Sequence, residues 1–285
     1  MRVVMTGITS IHGWPVFQYL AQRLGSKNVY GIRPPKMKVP DGKNVSAQCI
    51  TDTHALKRIR DRFKPTHVVH AAGVCDLDVC EDRPQWAHEL NAGGAEAIKE
   101  AYGDLPVLYL STDLVFSGNN PPRRGYTESH VPDPVSVAGR TFAGAESVIQ
   151  SLYAHCIIRL GLPIGDSVTG TKGAVDWIES RFKRGLPVTL FYDELRSCIE
   201  CTELAHVVTS LLFTGATGIW HCGGPFSLSL FDIGRFVLRR GNYPRGLLCG
   251  ISRFDEIDGP PRIGDVSLNS DKLSSHHLWQ YSKPF

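Results

Sequence analysis

Through the first 160 residues, short apolar runs alternate with helix-length amphipathic stretches, and few folds accommodate that rhythm. Residues 2–6, 28–32, 66–70, 106–110 and 156–160 read as buried strands. Between them, a segment from Gly7 to about Leu24 and residues 54–63, 84–102 and 138–153 carry helical spacing. Parallel neighbours need a crossover connection, so this order predicts a doubly wound, mostly parallel α/β sheet. Right-handed crossovers place every strand's C-terminal end, and with it the ligand cleft, on one edge. Beyond Gly161 the alternation loosens. Residues 173–184, 202–213 and 229–240 look helical, residues 187–191 and 218–222 look extended, and Pro/Gly clusters at 241–245 and 258–264 punctuate the tail. The expected division is a first domain over residues 1–160 and a smaller substrate-binding lobe over 161–285 that partly wraps back onto the sheet. A chain of 285 residues with 42% hydrophobic content buries a core of that size.

The turn after the first strand carries the first chemical signal. Gly7-Ile8-Thr9-Ser10-Ile11-His12-Gly13 ends a strand and opens a helix, where helix amides and dipole face a pyrophosphate. That is the place of the dinucleotide loop in a Rossmann-like domain, with Gly7, Ser10, His12 and Gly13 in contact. Ser10 stands where the motif has its second glycine, so a Cβ sits on the diphosphate approach while its hydroxyl adds a phosphate donor. The alternative is a turn whose glycines serve packing alone. At the end of the second strand stands Arg33, followed by Lys36 and Lys38, where an acidic residue would bind a ribose 2′-hydroxyl. Arginine there accommodates a 2′-phosphate, so the expected cofactor is NADP in preference to NAD. Asp52 is placed either to accept from an adenine amine or to cap the helix that follows.

A net charge of +3 without a long basic run gives no sign of nucleic acid. No apolar stretch is long enough to span a bilayer, and Met1 leads straight into a strand-like run, so the cytoplasm is the expected compartment. Eight cysteines then read as reduced thiols. Cys198-x-x-Cys201 with His206, or with His221 and Cys222, lacks the second ligand pair of a structural zinc site, and no metal is expected.

Further along come His70-Ala71-Ala72-Gly73, then Asp76, Asp78, Cys80-Glu81 and Leu90-Asn91. Leu110-Ser111-Thr112-Asp113-Leu114-Val115-Phe116-Ser117-Gly118 follows, with Tyr126-Thr127-Glu128 downstream. The tail adds Phe191 to Cys198, Glu203-Leu204-Ala205, Gly218-Ile219-Trp220-His221, Pro261-Arg262, Asp265 to Leu268 and Lys272-Leu273. In order and spacing these blocks resemble the dTDP-4-dehydrorhamnose reductase family of extended short-chain dehydrogenase/reductases, together with its relative, the regulatory beta subunit of methionine adenosyltransferase. The resemblance runs from Met1 to about Leu273. It implies that Ala71, Ala72 and Asn91 border the cofactor and that the Thr112 hydroxyl lies beside the carbonyl to be reduced, where it would bond a developing oxyanion.

The same register exposes a loss. The family's active-site helix carries a Tyr and, four positions on, a Lys; here those positions are Ala138 and Phe142. Neither donates a proton nor holds a ribose hydroxyl, and a general acid typically contributes roughly 10²–10⁴-fold. Ser136 and Tyr126 are the first candidates for a substitute donor. Three readings follow: an NADP-capable reductase-like protein that has become a regulatory subunit of a partner enzyme, a specialised-metabolism enzyme with a substitute proton donor, or a cleft repurposed for non-redox chemistry on a small-molecule substrate. A homodimer is also open.

Overall fold

In the computed structural model the described residues are 1–37, 39, 44–165, 167–168, 173–255, 259–276 and 278; Lys38 and Asp258 lie outside them. Elements in chain order are β1 (Val3–Thr6), α1 (Gly13–Leu24), β2 (Val29–Arg33), β3 (Val45–Ala47), α2 (Thr53–Phe63), β4 (His67–His70), α3 (Leu77–Asp82), α4 (Pro84–His88), α5 (Gly94–Tyr102), β5 (Val107–Thr112), α6 (Val137–Gln150) and β6 (His155–Leu160). There follow β7 (Leu162–Ile164), α7 (Ala174–Lys183), β8 (Val188–Phe191), β9 (Leu195–Glu200), α8 (Cys201–Thr214), β10 (Gly218–Cys222), β11 (Ser227–Ser229), α9 (Leu230–Arg240), β12 (Leu248–Ile251) and α10 (Asp271–Ser275).

Seven strands form one sheet in the order β10-β6-β5-β4-β1-β2-β3, with every pair parallel. The order reverses between β1 and β4, which opens a crevice at their C-terminal ends. The expected doubly wound α/β sheet is present. Strands such as β1 and β5 are buried along their whole length because helices cover both faces. On one face α1 and α8 interlock through Val16, Leu20, Leu204, Val207 and Leu211; on the other, α2, α5 and α6 bury Leu56, Ile98, Ala145 and Ile149.

The chain beyond residue 160 serves two places. β10 extends the main sheet beside β6, and α8 packs on α1. The rest builds a smaller body: β11 antiparallel and β7 parallel to β9, β12 parallel to β8, and α7 and α9 over a core of Ile178, Phe182, Val188, Leu190, Ile233 and Val237. No helix among the described residues is long and apolar enough to cross a membrane.

One predicted helix differs. Residues 84–102 run as α4, a π-turn over Glu89–Gly93, and α5. The extra residue in that turn lets Asn91 point inward, where it ties three segments together.

Candidate functional site

The cleft begins where β1 stops. At Gly7 the backbone turns left-handed, with φ of +69°, and a Cβ there would overlap the Ala71 carbonyl, so both conformation and packing demand glycine. Thr6 organises the floor. Its hydroxyl accepts from the Ala71 and Ala72 amides at 3.2 and 3.3 Å and donates to His70 Nδ1 at 2.8 Å. Burial lowers the His70 pKa to about 3, so its ring is neutral at pH 7. Ser10 bridges the turn: its hydroxyl donates to Gly7 O at 3.0 Å and accepts from the Gly13 amide at 2.9 Å. The amides of Ile11 and His12, at the head of α1, find no acceptor among the described residues. Burial lowers the His12 pKa to about 4, so its ring is neutral at pH 7. Two amides without an acceptor among the described residues at a helix start have the geometry that an anion would need.

Along the adenosine side, Arg33 bends over its own loop, Nη1 donating to the carbonyls of Pro34, Pro35 and Met37 at 3.2, 3.3 and 2.6 Å. Met37 in turn takes the Thr9 hydroxyl at its sulfur, which closes that loop onto the glycine turn. Asp52 accepts from the Ala55 amide at 2.9 Å and is the N-cap of α2, the second of its two expected roles. Asn91 is fully engaged: it exchanges two hydrogen bonds with the Val74 backbone and donates to Thr141 Oγ1 at 2.8 Å. It fixes the loop after β4 to α6, so its expected contact with a cofactor gives way to positioning.

The other end of the cleft is built differently. Thr112 ends β5 and caps the short turn after it; its hydroxyl accepts from the Leu114 amide at 3.3 Å and donates to Asp113 Oδ1 at 3.2 Å. Asp113 is wholly buried and grips Arg196 from β9: Nε donates to Oδ2 at 2.9 Å, and Nη2 meets Oδ1 in a close ion pair. Burial pushes the Asp113 carboxyl up, and Arg196 opposes that shift. Arg196 was not among the residues expected here, although it stands inside the Phe191–Cys198 block.

Ser136 is fully buried and accepts from the Gly139 amide at 3.1 Å as the N-cap of α6, while Glu81 accepts from the neighbouring Val137 amide at 2.6 Å. Tyr126 is buried against Phe116, ring centres 4.1 Å apart, with its phenol among Ser117 and Gly118. Burial, with Asp133 nearby, raises its pKa and makes it a poorer acid. The two expected substitute donors thus hold structural positions, a correction imposed by burial. Ala138 has no exposed surface. The Phe142 ring stacks toward Tyr109 at 6.4 Å and presses on the loop after β4, where a Cβ on Gly73 would lie 2.9 Å from Cζ.

Beneath this end lies a second ion pair. Arg159 of β6 and Glu146 of α6, 1% and 2% exposed, are joined at 2.7 Å; Ser111 donates to Glu146 at 2.6 Å. His221 offers Nε2 to Arg159 at 3.5 Å, its pKa lowered to about 3 by burial and by that guanidinium. Among the described residues no three His, Cys, Asp or Glu side chains converge as a metal-binding set.

With this geometry in view, the sequence matches the RmlD substrate binding domain over residues 1–280. The methionine adenosyltransferase 2 subunit beta of Pongo abelii is 30% identical over 288 residues, covering 98% of this chain and 83% of that protein. A hypothetical dTDP-4-dehydrorhamnose reductase from Sulfolobus tokodaii superposes with a TM-score of 0.78 at 25% identity, over 96% of this chain and 94% of its own. The dTDP-4-dehydrorhamnose reductase of Bacillus anthracis, solved in complex with NADP, superposes with a TM-score of 0.79 at 20% identity, over 98% and 92%.

Proposed function

This chain belongs to the RmlD substrate binding domain family, and from that premise we propose that it is an NADP-capable, reductase-like protein whose ordinary reductase chemistry has been lost. The observation that carries the reading is the face of α6: Ala138 offers no proton, and Phe142 sets an aromatic ring against Gly73 where the family places an ammonium. Thr112 adds to it, since its proton is directed at Asp113.

The diphosphate half of the cleft fits a dinucleotide. The amides of Ile11 and His12 would hold the pyrophosphate, Gly7 and Gly13 would allow the tight turn that aims them, and the Ser10 hydroxyl would border it. Arg33 would meet a 2′-phosphate by releasing loop carbonyls, which is the basis for NADP over NAD. When bound, NADP supplies hydride-transfer capacity, and this chain provides no acid at position 138 to accompany it. A protein that keeps the nucleotide half and loses the acid is suited to serve a partner enzyme as a subunit, in line with the subunit beta relatives. A cytoplasmic location belongs to this reading.

Arg196 favours a second reading. A guanidinium beside Thr112 suits an anionic substrate undergoing non-redox chemistry in the same cleft.

Calorimetric titration separates these readings. The first expects NADP to bind more tightly than NAD, Arg33→Ala to erase that preference, and wild-type protein to show no NADPH oxidation with dTDP-4-dehydrorhamnose. The pair Ala138→Tyr with Phe142→Lys then recovers measurable turnover. Robust wild-type turnover overturns the reading, and equal or NAD-favouring affinity removes the Arg33 argument.

A further inference from the structure

A cavity of about 360 Å³ opens beside α6, where β6 and the edge strand β10 meet the loop at residues 128–132. Ala143, Ser147 and Gln150 border it, a stripe turned roughly 120° around the helix from Ala138 and Phe142. The cavity and the cleft thus lie on different sides of α6. Its volume is within the range of small-molecule sites, roughly 300–1,000 Å³.

Three carboxylate or guanidinium groups border the cavity, and two of them cancel. Arg159 Nε and Nη2 donate to Glu146 at 3.0 and 2.7 Å, and Nη1 reaches His221 Nε2 at 3.5 Å. That pair, almost fully buried, makes a neutral floor. Glu128 is left over. Its Oε1 accepts from the His221 amide at 3.0 Å, which pins the loop to β10, and no described residue donates to its Oε2. Around this carboxylate the walls are apolar: Pro132, Ile219, and Val131, which is 82% exposed at the rim.

We propose that this cavity binds a small primary amine, its ammonium on Glu128 and its hydrocarbon against Val131, Pro132 and Ile219. An anion would have to draw Arg159 away from Glu146 and leave a buried carboxylate unpaired. A metal ion needs converging ligands, and among the described residues no three His, Cys, Asp or Glu side chains converge, although Glu128, His130 and Glu146 all border this space. His130 is engaged elsewhere, its Nδ1 lying 2.8 Å from the Thr127 hydroxyl. A quaternary ammonium favours aromatic faces, and no Trp, Tyr or Phe lines the cavity. A primary ammonium brings three N–H donors, for which Glu128 Oε2 and the Gln150 side-chain carbonyl are acceptors. Nothing in this assignment depends on a dinucleotide at the glycine turn.

The test is calorimetric titration of the full chain, without dinucleotide, using four probes of one skeleton: phenethylamine, phenethyl alcohol, hydrocinnamate and trimethylphenethylammonium. The primary amine should bind with a Kd of about 1 mM, and the neutral, anionic and quaternary probes about tenfold more weakly or not at all. Glu128→Gln keeps an acceptor for the His221 amide and removes the charge, and should weaken the amine about tenfold. Ser147→Phe, at an exposed position of α6, fills the mouth and should abolish binding. Both variants should keep the wild-type melting temperature. Equal or tighter binding of the alcohol, the carboxylate or the quaternary probe overturns the proposal. So does an amine affinity unchanged by Glu128→Gln, and so does no binding of the amine at about 10 mM. If Glu128→Gln unfolds the protein, Ser147→Phe decides alone, and undiminished amine binding there overturns the proposal equally.

Discussion

The two ends of the cleft contrast in how they use polar groups. At the glycine-turn end backbone amides are left over: Gly7 packs on Ala71 and Gly13 on Gly7 O with no room for a side chain, and Ile11 and His12 keep their N–H groups unspent among the described residues. At the substrate end the polar groups face one another. Thr112 turns to Asp113, Asp113 to Arg196, and Glu146 to Arg159 and Ser111. One end leaves amides without acceptors among the described residues, and the other satisfies itself. A buried charge without a partner is expensive, so a side chain lost from the second end is felt mainly in stability, whereas one lost from the first is felt in binding.

The largest effect should come from breaking the deepest pair. Arg159→Ala leaves Glu146 buried and unpaired, and roughly 3–5 kcal/mol of folding stability should be lost. Replacing both partners with apolar residues, Arg159→Met with Glu146→Leu, should recover most of it. Urea unfolding measures both. A loss below about 1 kcal/mol in the single variant would place Glu146 in contact with water and undo the description of this end as self-satisfied.

Acid probes both ends together, since His70 lies under the glycine turn and His221 beside the Arg159 pair. An unfolded imidazole takes up its proton near pH 6.5, whereas burial keeps both rings neutral to about pH 3. The unfolded state thus binds more protons across that window, and stability is complete above pH 6.5 and falls as the pH drops below it. The slope should approach about 1.4 kcal/mol per pH unit for each ring. Unfolding midpoints in denaturant from pH 7.5 to 5 report it, and His221→Gln should flatten part of the slope. A profile independent of pH would mean that both rings are solvated.

The glycine-turn end of the cleft was far more legible in the sequence than the end at Thr112, for a physical reason. The glycine turn is local: Gly7, Ser10 and Gly13 act within seven consecutive residues, and their types state the backbone they require. Ala138 and Phe142 stood out for the same reason, as two residues a helical turn apart. Asp113 and Arg196 stand 83 positions apart, one following β5 of the main sheet and the other on β9 of the smaller body, so only the tertiary fold brings them together. Ser136 and Tyr126 misled because a hydroxyl's burial and partner are not written in its residue type. The long alternating segments gave the main sheet, while strands as short as β3, β7 and β11 hold too few residues to show a period.

The smallest predicted effect is the most discriminating for the diphosphate end. The Ser10 hydroxyl ties Gly7 O to the Gly13 amide, so Ser10→Gly removes two hydrogen bonds and should cost about 1 kcal/mol of stability. Binding should move the other way. With the side chain gone, the Gly13 amide keeps its bond to Ser10 O at 3.1 Å, and the Cβ no longer stands in the pyrophosphate's approach. NADP affinity should then rise about threefold, a gain of roughly 0.7 kcal/mol, from the closer approach of the diphosphate to the backbone. Calorimetry on the wild type and the variant under identical salt reads the change. If affinity instead falls, the serine hydroxyl is itself a phosphate ligand, and this end of the cleft has exchanged a bare backbone contact for a side-chain donor.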